Sequence, residues 1–105
     1  MTSYTLYPNL ALLLGELPTD SIVSRSLLKS DATNAVLFGF AAGQELSEHT
    51  SSYPAILHFL AGQAQITLGE DVTTAQAGTW VYMPPHLPHR IYAETAVTML
   101  LLLLK

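Results

Sequence analysis

Two histidines, His49 and His89, have the side chains best suited to chemistry in this chain. His49 stands six residues after Gly43, and His89 stands five residues after Pro84. Imidazole is a common metal ligand and the usual acid–base group near neutral pH. If strand pairing brings the two rings together they form a site, and we take both as candidate metal ligands.

The composition excludes several classes of protein. Half of the 105 residues are hydrophobic and only 11% are charged, which suits one domain with a substantial core. A net charge of -4, with only four scattered basic residues, argues against a nucleic-acid-binding surface. The absence of cysteine excludes disulfides, thiolate metal sites and a cysteine nucleophile.

The same composition predicts location and partners. The apolar run 99–104 is far shorter than the roughly 20 residues that span a membrane. No basic start followed by a long apolar run marks a signal peptide. We therefore expect a cytoplasmic protein that binds no membrane.

So low a charge content indicates that a second subunit covers part of the surface. The expected partners are a second copy of the chain, in a homodimer, and a small-molecule ligand.

Short apolar or alternating stretches separated by glycine and proline predict an all-β chain. The predicted strands cover residues 22–29, 35–40, 55–60, 64–68, 79–83, 89–93 and 97–104. A tight turn is predicted at 68–72. This spacing is typical of a sandwich or barrel, so we predict one domain over residues 1–105, with an N-terminal arm over 1–21 and the barrel over 22–104.

The stretches around the two histidines resemble the two motifs of the cupin superfamily. Six residues match in type and spacing: Gly43, His49 and Gly62 in the first motif, and Gly78, Pro84 and His89 in the second. The resemblance covers residues 22–104. It implies a small jelly-roll barrel (a double-stranded β-helix), often dimeric, with a ligand or metal site inside the barrel.

The departures from those motifs concern the metal site. The family's usual shell is three histidines and one glutamate, but Ser51 and Ala55 occupy two of these positions. His86 replaces the glycine of the second motif, and Ala93 replaces its final asparagine. The chain thus resembles a subgroup of small cupins with a degenerate first motif. Two imidazoles can hold a first-row metal, but a firm site usually has three or four protein ligands.

The resemblance also indicates which other residues face the cavity. If the position of the missing glutamate faces inward, strand alternation places Leu57 and Phe59 inward as well, and His58 outward unless a β-bulge intervenes. We expect Ser51, Leu57 and Phe59 to contact a ligand. His58 and His86 are alternative candidate metal ligands. The competing interpretations are that His58 lies on the outer face of its strand and that His86 lies in an exposed turn.

The function predicted from these residues is binding of a small polar ligand around His49 and His89. The site binds the ligand either with one divalent transition metal (Fe, Mn, Ni or Zn) or without any metal. One alternative is a metal-free ligand-binding, sensory or scaffold barrel without catalysis. A second alternative is a metal-dependent dioxygenase or isomerase, in which water and substrate fill the open metal positions.

Overall fold

The computed structural model describes residues 3–105, and within that range the regular elements are nine strands and one short 3-10 helix, Leu10–Leu12. The strands are β1 Ile22–Lys29, β2 Thr33–Phe40, β3 Glu45–His49, β4 Ala55–Ala61, β5 Gln63–Leu68, β6 Asp71–Gln76, β7 Trp80–Met83, β8 His89–Ala93 and β9 Val97–Leu104. The described part of the chain contains no helix that is long and apolar enough to cross a membrane.

The strands form two antiparallel sheets. The five-stranded sheet has the order β1-β2-β9-β4-β7, and the four-stranded sheet has the order β3-β8-β5-β6. Neighbours in each sheet are largely non-consecutive in sequence, because the chain crosses repeatedly from one sheet to the other. The two sheets enclose one apolar core, which makes the predicted all-β jelly-roll barrel the observed fold.

Strand alternation explains which residues form the core. Leu57 and Met99, from the five-stranded sheet, are buried together with Ile66 and Ile91 of the four-stranded sheet. Every second residue of each strand faces the opposite sheet, so these side chains fill the space between the layers. Burying a large aliphatic side chain stabilises the fold by about 1.5–3 kcal/mol.

The N-terminal arm, residues 3–21, packs on the outside of the five-stranded sheet. The Tyr7 hydroxyl donates to the carbonyl of Leu27 (2.6 Å), and Leu14 and Leu17 lie against Gly39 of β2. Leu37 faces away from the barrel interior, on the side of the sheet against which the arm packs, and is fully buried. Residues 1 and 2 of the predicted arm lie outside the described residues.

Apart from single-residue differences at strand ends, the strands agree with the sequence prediction except at three places. β3 and β6 have no counterpart among the predicted strands, and β2 begins at Thr33 rather than at residue 35. Within β1, the register with β2 shifts between Ser26 and Leu28, so Leu27 interrupts the alternation of the strand. The tight turn predicted at 68–72 connects β5 to β6.

Gly62 joins β4 of one sheet to β5 of the other, and its replacement provides a test of this crossing. Gly62 and Gly43, which joins β2 to β3, have almost the same backbone angle, with φ of 86° and 85°. A Cβ on Gly62 would lie 2.0 Å from the carbonyl oxygen of Ala96, whereas a Cβ on Gly43 would meet nothing within 4 Å.

We expect Gly43→Ala to cost about 1–2 kcal/mol, the strain of a left-handed L-residue. Gly62→Ala adds a backbone clash and should cost at least about 3 kcal/mol. Thermal unfolding followed by circular dichroism measures both, since 1 kcal/mol corresponds to about 4–8 °C in a domain of this size. Equal losses in the two variants would contradict the close approach of Gly62 to Ala96.

Candidate functional site

The pairing of β3 with β8 brings the two candidate histidines together. His49 lies directly opposite His89 in the ladder, and their ring centroids are 4.2 Å apart with the planes inclined by 60°. Leu46 pairs with Ile91, so β3 has one residue more than β8 between the two pairs. This β-bulge allows Leu46 and His49, three positions apart, to face the same side.

Hydrogen bonds to the backbone orient both rings. His49 Nδ1–H donates to the carbonyl of Ser47 (2.9 Å), and His89 Nδ1–H donates to the carbonyl of Leu87 (2.8 Å). Because a carbonyl oxygen can only accept, each neutral ring carries its proton on Nδ1 and a lone pair on Nε2. Neither Nε2 has a hydrogen-bond partner within residues 3–105, so two lone pairs are available to a ligand.

The two imidazoles differ in their exposure. His89 is 7% exposed, the one buried polar residue in the described chain, whereas His49 is exposed at the rim. Burial lowers the pKa of His89 below its ordinary value of 6.5, the hydrogen bond to Leu87 opposes this, and the nearby His49 lowers the pKa further. His89 is therefore neutral at pH 7 and presents an acceptor on Nε2.

The acidic side chain of Glu45 does not enter the site. Glu45 of β3 lies 3.7 Å from Arg90 of β8 in an exposed ion pair. Glu45 and Arg90 each directly precede a cavity-facing residue, Leu46 and Ile91 respectively. Because successive residues of a strand face opposite sides, both lie on the outer face of the four-stranded sheet. The polar character of the cavity rim comes instead from the two imidazoles and Ser51.

The histidine pair lies in the wall of a cavity of about 80 Å³ between the two sheets. Twelve residues line the cavity, and nine of them are apolar. The polar ones are His49, Ser51 and His89. The Ser51 hydroxyl accepts a hydrogen bond from the Tyr53 N–H (3.2 Å), so its own hydrogen is available for a ligand.

Two of the three predicted ligand contacts lie in the cavity wall. Ser51 and Leu57 line it, as does Ala55 at the position of the missing glutamate. Phe59 does not line it. The side chain is 1% exposed and packs in the core against other buried residues, because β4 extends beyond the end of the cavity. Whether Ser51 and Leu57 contact a ligand stays a prediction.

Neither alternative metal ligand lies beside the histidine pair. His58 faces outward, between Trp80 of β7 and Leu100 of β9. The bulge in β4 lies between Phe59 and Ala61, after His58, and so does not reverse it. His86 is exposed in a turn with φ of 68°. Its backbone N–H donates to the carbonyl of Ser51 (2.7 Å), which ties this turn to the loop at the cavity rim.

Sequence reasoning missed the part of the wall that β9 supplies. Met99, Leu101 and Leu103 face the cavity. They belong to an uninterrupted apolar run in which both faces of the strand look alike, so periodicity gives no signal for the inner face. Phe38 of β2 was missed for the same reason, since β2 is apolar on both faces.

The described side chains around the cavity do not supply the metal shell of three histidines and one glutamate that the resemblance implies. Within the described residues, no group of three or more His, Cys, Asp or Glu side chains could hold a metal ion. Both Nδ1–H groups are bound to carbonyls, as in metal-ligating histidines, but two ligands fall short of the three or four that a firm site requires. Ser51 and Ala55 provide no replacement.

Comparison with known proteins agrees with the fold. Residues 36–104 match the family model described as "Cupin domain". A cupin superfamily protein from Desulfitobacterium hafniense DCB-2 is 27% identical, with a TM-score of 0.82 over 87% of this chain and 84% of that chain. A conserved protein of unknown function from Streptococcus pyogenes is 29% identical, with a TM-score of 0.81 over 99% of this chain and 96% of that chain.

A more distant structure shares the fold alone. The DMSP lyase from Ruegeria pomeroyi DSS-3 is 22% identical, with a TM-score of 0.75 over 80% of this chain and 47% of that chain. No curated protein matches the chain. The similarities therefore establish the architecture but do not identify a ligand.

The lowered pKa of His89 predicts how stability depends on pH. Since the folded state binds the proton less well than the unfolded state, stability is complete above the ordinary pKa of 6.5 and is lost as pH falls through the lower folded value. Melting temperatures measured between about pH 7 and about pH 4.5 should fall less in His89→Gln than in the natural protein. An unchanged pH dependence in His89→Gln would contradict a buried, neutral His89.

Proposed function

This chain belongs to the cupin domain family, and we propose that it binds a small molecule whose hydrogen-bond-donating head meets His49 and His89 and whose apolar body fills the cavity. The observation that carries the proposal is the pair of facing imidazoles with unpartnered Nε2 atoms in the wall of an otherwise apolar cavity.

The protonation state of the site selects the head group. With Nδ1–H bound to a carbonyl in each ring, a neutral imidazole offers only the Nε2 lone pair. A hydroxyl or amino group can donate to it, whereas a carboxylate would place negative charge beside an acceptor. The net charge of -4 also disfavours anions. The head is therefore a hydroxyl or an amine.

Ser51 favours a hydroxyl over an amine. Its oxygen already accepts from the Tyr53 N–H, so the Ser51 O–H is free to donate. A ligand hydroxyl can donate to an imidazole and accept from Ser51 at the same time, while an ammonium group can only donate. An alcohol or enol thus satisfies the polar groups of the rim better than an amine.

The cavity limits the body of the ligand. Its volume of about 80 Å³ is smaller than the engineered apolar cavity of about 150 Å³ that holds benzene. The wall is formed by side chains such as Leu57, Met83 and Met99, which offer no partners for several hydroxyls. A carbohydrate, which carries a polar group on nearly every carbon, suits this interior poorly. A short aliphatic chain suits it well.

A second candidate function is supported by the orientation of the rings. His49 and His89 would be the residues that hold a divalent transition metal, because their Nδ1–H groups are fixed by carbonyls and both Nε2 lone pairs are free. Such a metal would supply Lewis acidity to a bound ligand. The shortage of protein ligands makes this arrangement weak, so it ranks second.

Titration with small alcohols tests the first function. We expect alcohols and amines of three or four carbons to shift the NMR signals of His89 and Ile91 with dissociation constants in the roughly millimolar range. Carboxylates of the same carbon skeletons should bind more weakly at neutral pH. Ala55→Leu fills the cavity while keeping both histidines, and it should abolish the shifts at a cost of about 1–3 kcal/mol in stability. Equal binding of alcohol and carboxylate, or binding that survives Ala55→Leu, would contradict the proposal.

Metal content separates the two functions. The protein is purified without a histidine tag from cells supplied with Fe, Mn, Ni and Zn, and metal per chain is measured by elemental analysis. We expect far less than one metal per chain, with no change in His49→Ala. One metal per chain that is lost in both His49→Ala and His89→Ala would favour the second function instead.

A further inference from the structure

The turn between β7 and β8 is stiffened by three prolines. The Leu87 N–H donates to the carbonyl of Pro84 (3.4 Å), which closes a β-turn with Pro85 and His86 at its centre. The proline rings fix φ at about −65° in residues 84, 85 and 88. Leu87 directly precedes Pro88 and is confined to extended conformations. His86 is therefore the residue at which the backbone of this turn keeps most freedom.

His86 adopts a left-handed backbone conformation, with φ of 68°. A positive φ at the second central position defines a type II turn, where glycine or asparagine is usual. Histidine enters this region more readily than most other residues, and β-branched residues hardly do. The imidazole of His86 is exposed, so the consequence of this conformation lies in what the backbone contacts.

The backbone on the two sides of His86 contacts two polar residues of the cavity wall. The His86 N–H donates to the carbonyl of Ser51 (2.7 Å). One residue later, the carbonyl of Leu87 accepts from His89 Nδ1–H (2.8 Å). Ser51 and His89 both line the cavity. The φ torsion of His86 thus lies between the contact to the rim loop and the contact to the buried imidazole.

These two contacts depend on the sign of that torsion. A change of φ at His86 from 68° to the negative values usual for L-residues rotates the following chain by more than about 100° relative to the His86 N–H. The chain cannot shift to compensate, because the Gly69 N–H holds the carbonyl of Pro88 (2.7 Å). The contacts to Ser51 and His89 are therefore not both kept when the turn leaves the left-handed region.

We propose that His86 is a positioning residue for the ligand site. Its left-handed backbone holds the loop at Ser51 and, through the carbonyl of Leu87, keeps the proton of His89 on Nδ1. Without that carbonyl His89 can carry its proton on Nε2, and the acceptor for a ligand hydroxyl is lost. The consequence for binding rests on the proposed function, whereas the tautomer of His89 is observable without a ligand.

Two substitutions of His86 separate its backbone from its side chain. Glycine adopts positive φ at no cost, so His86→Gly should keep the protonated Nδ1 of His89 and the natural affinity for n-propanol. Valine disfavours this conformation. His86→Val should show an Nε2–H tautomer in His89 and about tenfold weaker binding, the effect of one lost hydrogen bond. Histidine-nitrogen NMR and titration followed at Ile91 measure the two effects.

Asp20 provides a matched control. Apart from His86 it is the one non-glycine residue with positive φ within residues 3–105, at 56°, and it lies in the N-terminal arm. Asp20→Val should lower stability without changing the nitrogen signals of His89. Equal changes of those signals in Asp20→Val and His86→Val would indicate general destabilisation and overturn the proposal.

The remaining outcomes are equally decisive. Natural His89 signals in folded His86→Val, or equally weakened binding in His86→Gly and His86→Val, would overturn the positioning role. If His86→Val does not fold, amide exchange of the natural protein decides, since the His86 N–H should be protected by Ser51 and exchange at the rate of an open chain would contradict this. Failure of n-propanol to bind the natural protein would refute the proposed function instead, and the His89 signals would still test His86.

Discussion

The antiparallel pairing of β3 with β8 is the interaction on which the site depends. It places His49 opposite His89, and a one-residue slip would turn every side chain of β3 to the other face. The ladder is fixed at its far end, where the Gly43 N–H donates to Ala93 and the Ala93 N–H donates to Gln44. The bulge after Leu46 then sets the inward direction of His49. Backbone geometry therefore determines both the position of the rings and, through the carbonyls at Ser47 and Leu87, their tautomers.

The sequence predicted the architecture better than the cavity. Glycine and proline positions mark the turns, so the barrel and the meeting of His49 with His89 could be expected, and alternation placed His58 outward. The β3 bulge has no recognisable signature in the sequence, since neither Ser47 nor Glu48 is a residue that a bulge requires. Phe59 was expected in the cavity because alternation gives the face of a strand, but not the depth at which a cavity ends. In the leucine run of β9 both faces are apolar, so nothing in the pattern separates cavity wall from outer surface.

β9 shows why the chain contains so few charges. Leu101 faces the cavity, and Leu100 and Leu102 face outward into the groove beneath the arm. A strand between an apolar cavity and a covered outer surface has no position for a charged residue. The same reasoning applies to β4, where Leu57 faces inward and Ile56 outward. Ligand binding would account for the apolar inner face of β9, and the N-terminal arm, which lines a groove together with Leu100 and Leu102, would account for its apolar outer face.

The central claim is that two backbone carbonyls hold both imidazoles as Nδ1–H tautomers and leave two Nε2 lone pairs at the cavity. Long-range proton–nitrogen correlation NMR of the protein labelled at histidine nitrogen measures this directly, because protonated and unprotonated ring nitrogens resonate far apart. At neutral pH we expect a protonated Nδ1 and an unprotonated Nε2 in the neutral form of His49 and in His89. An Nε2–H tautomer in either ring, or a doubly protonated His89, would contradict the account.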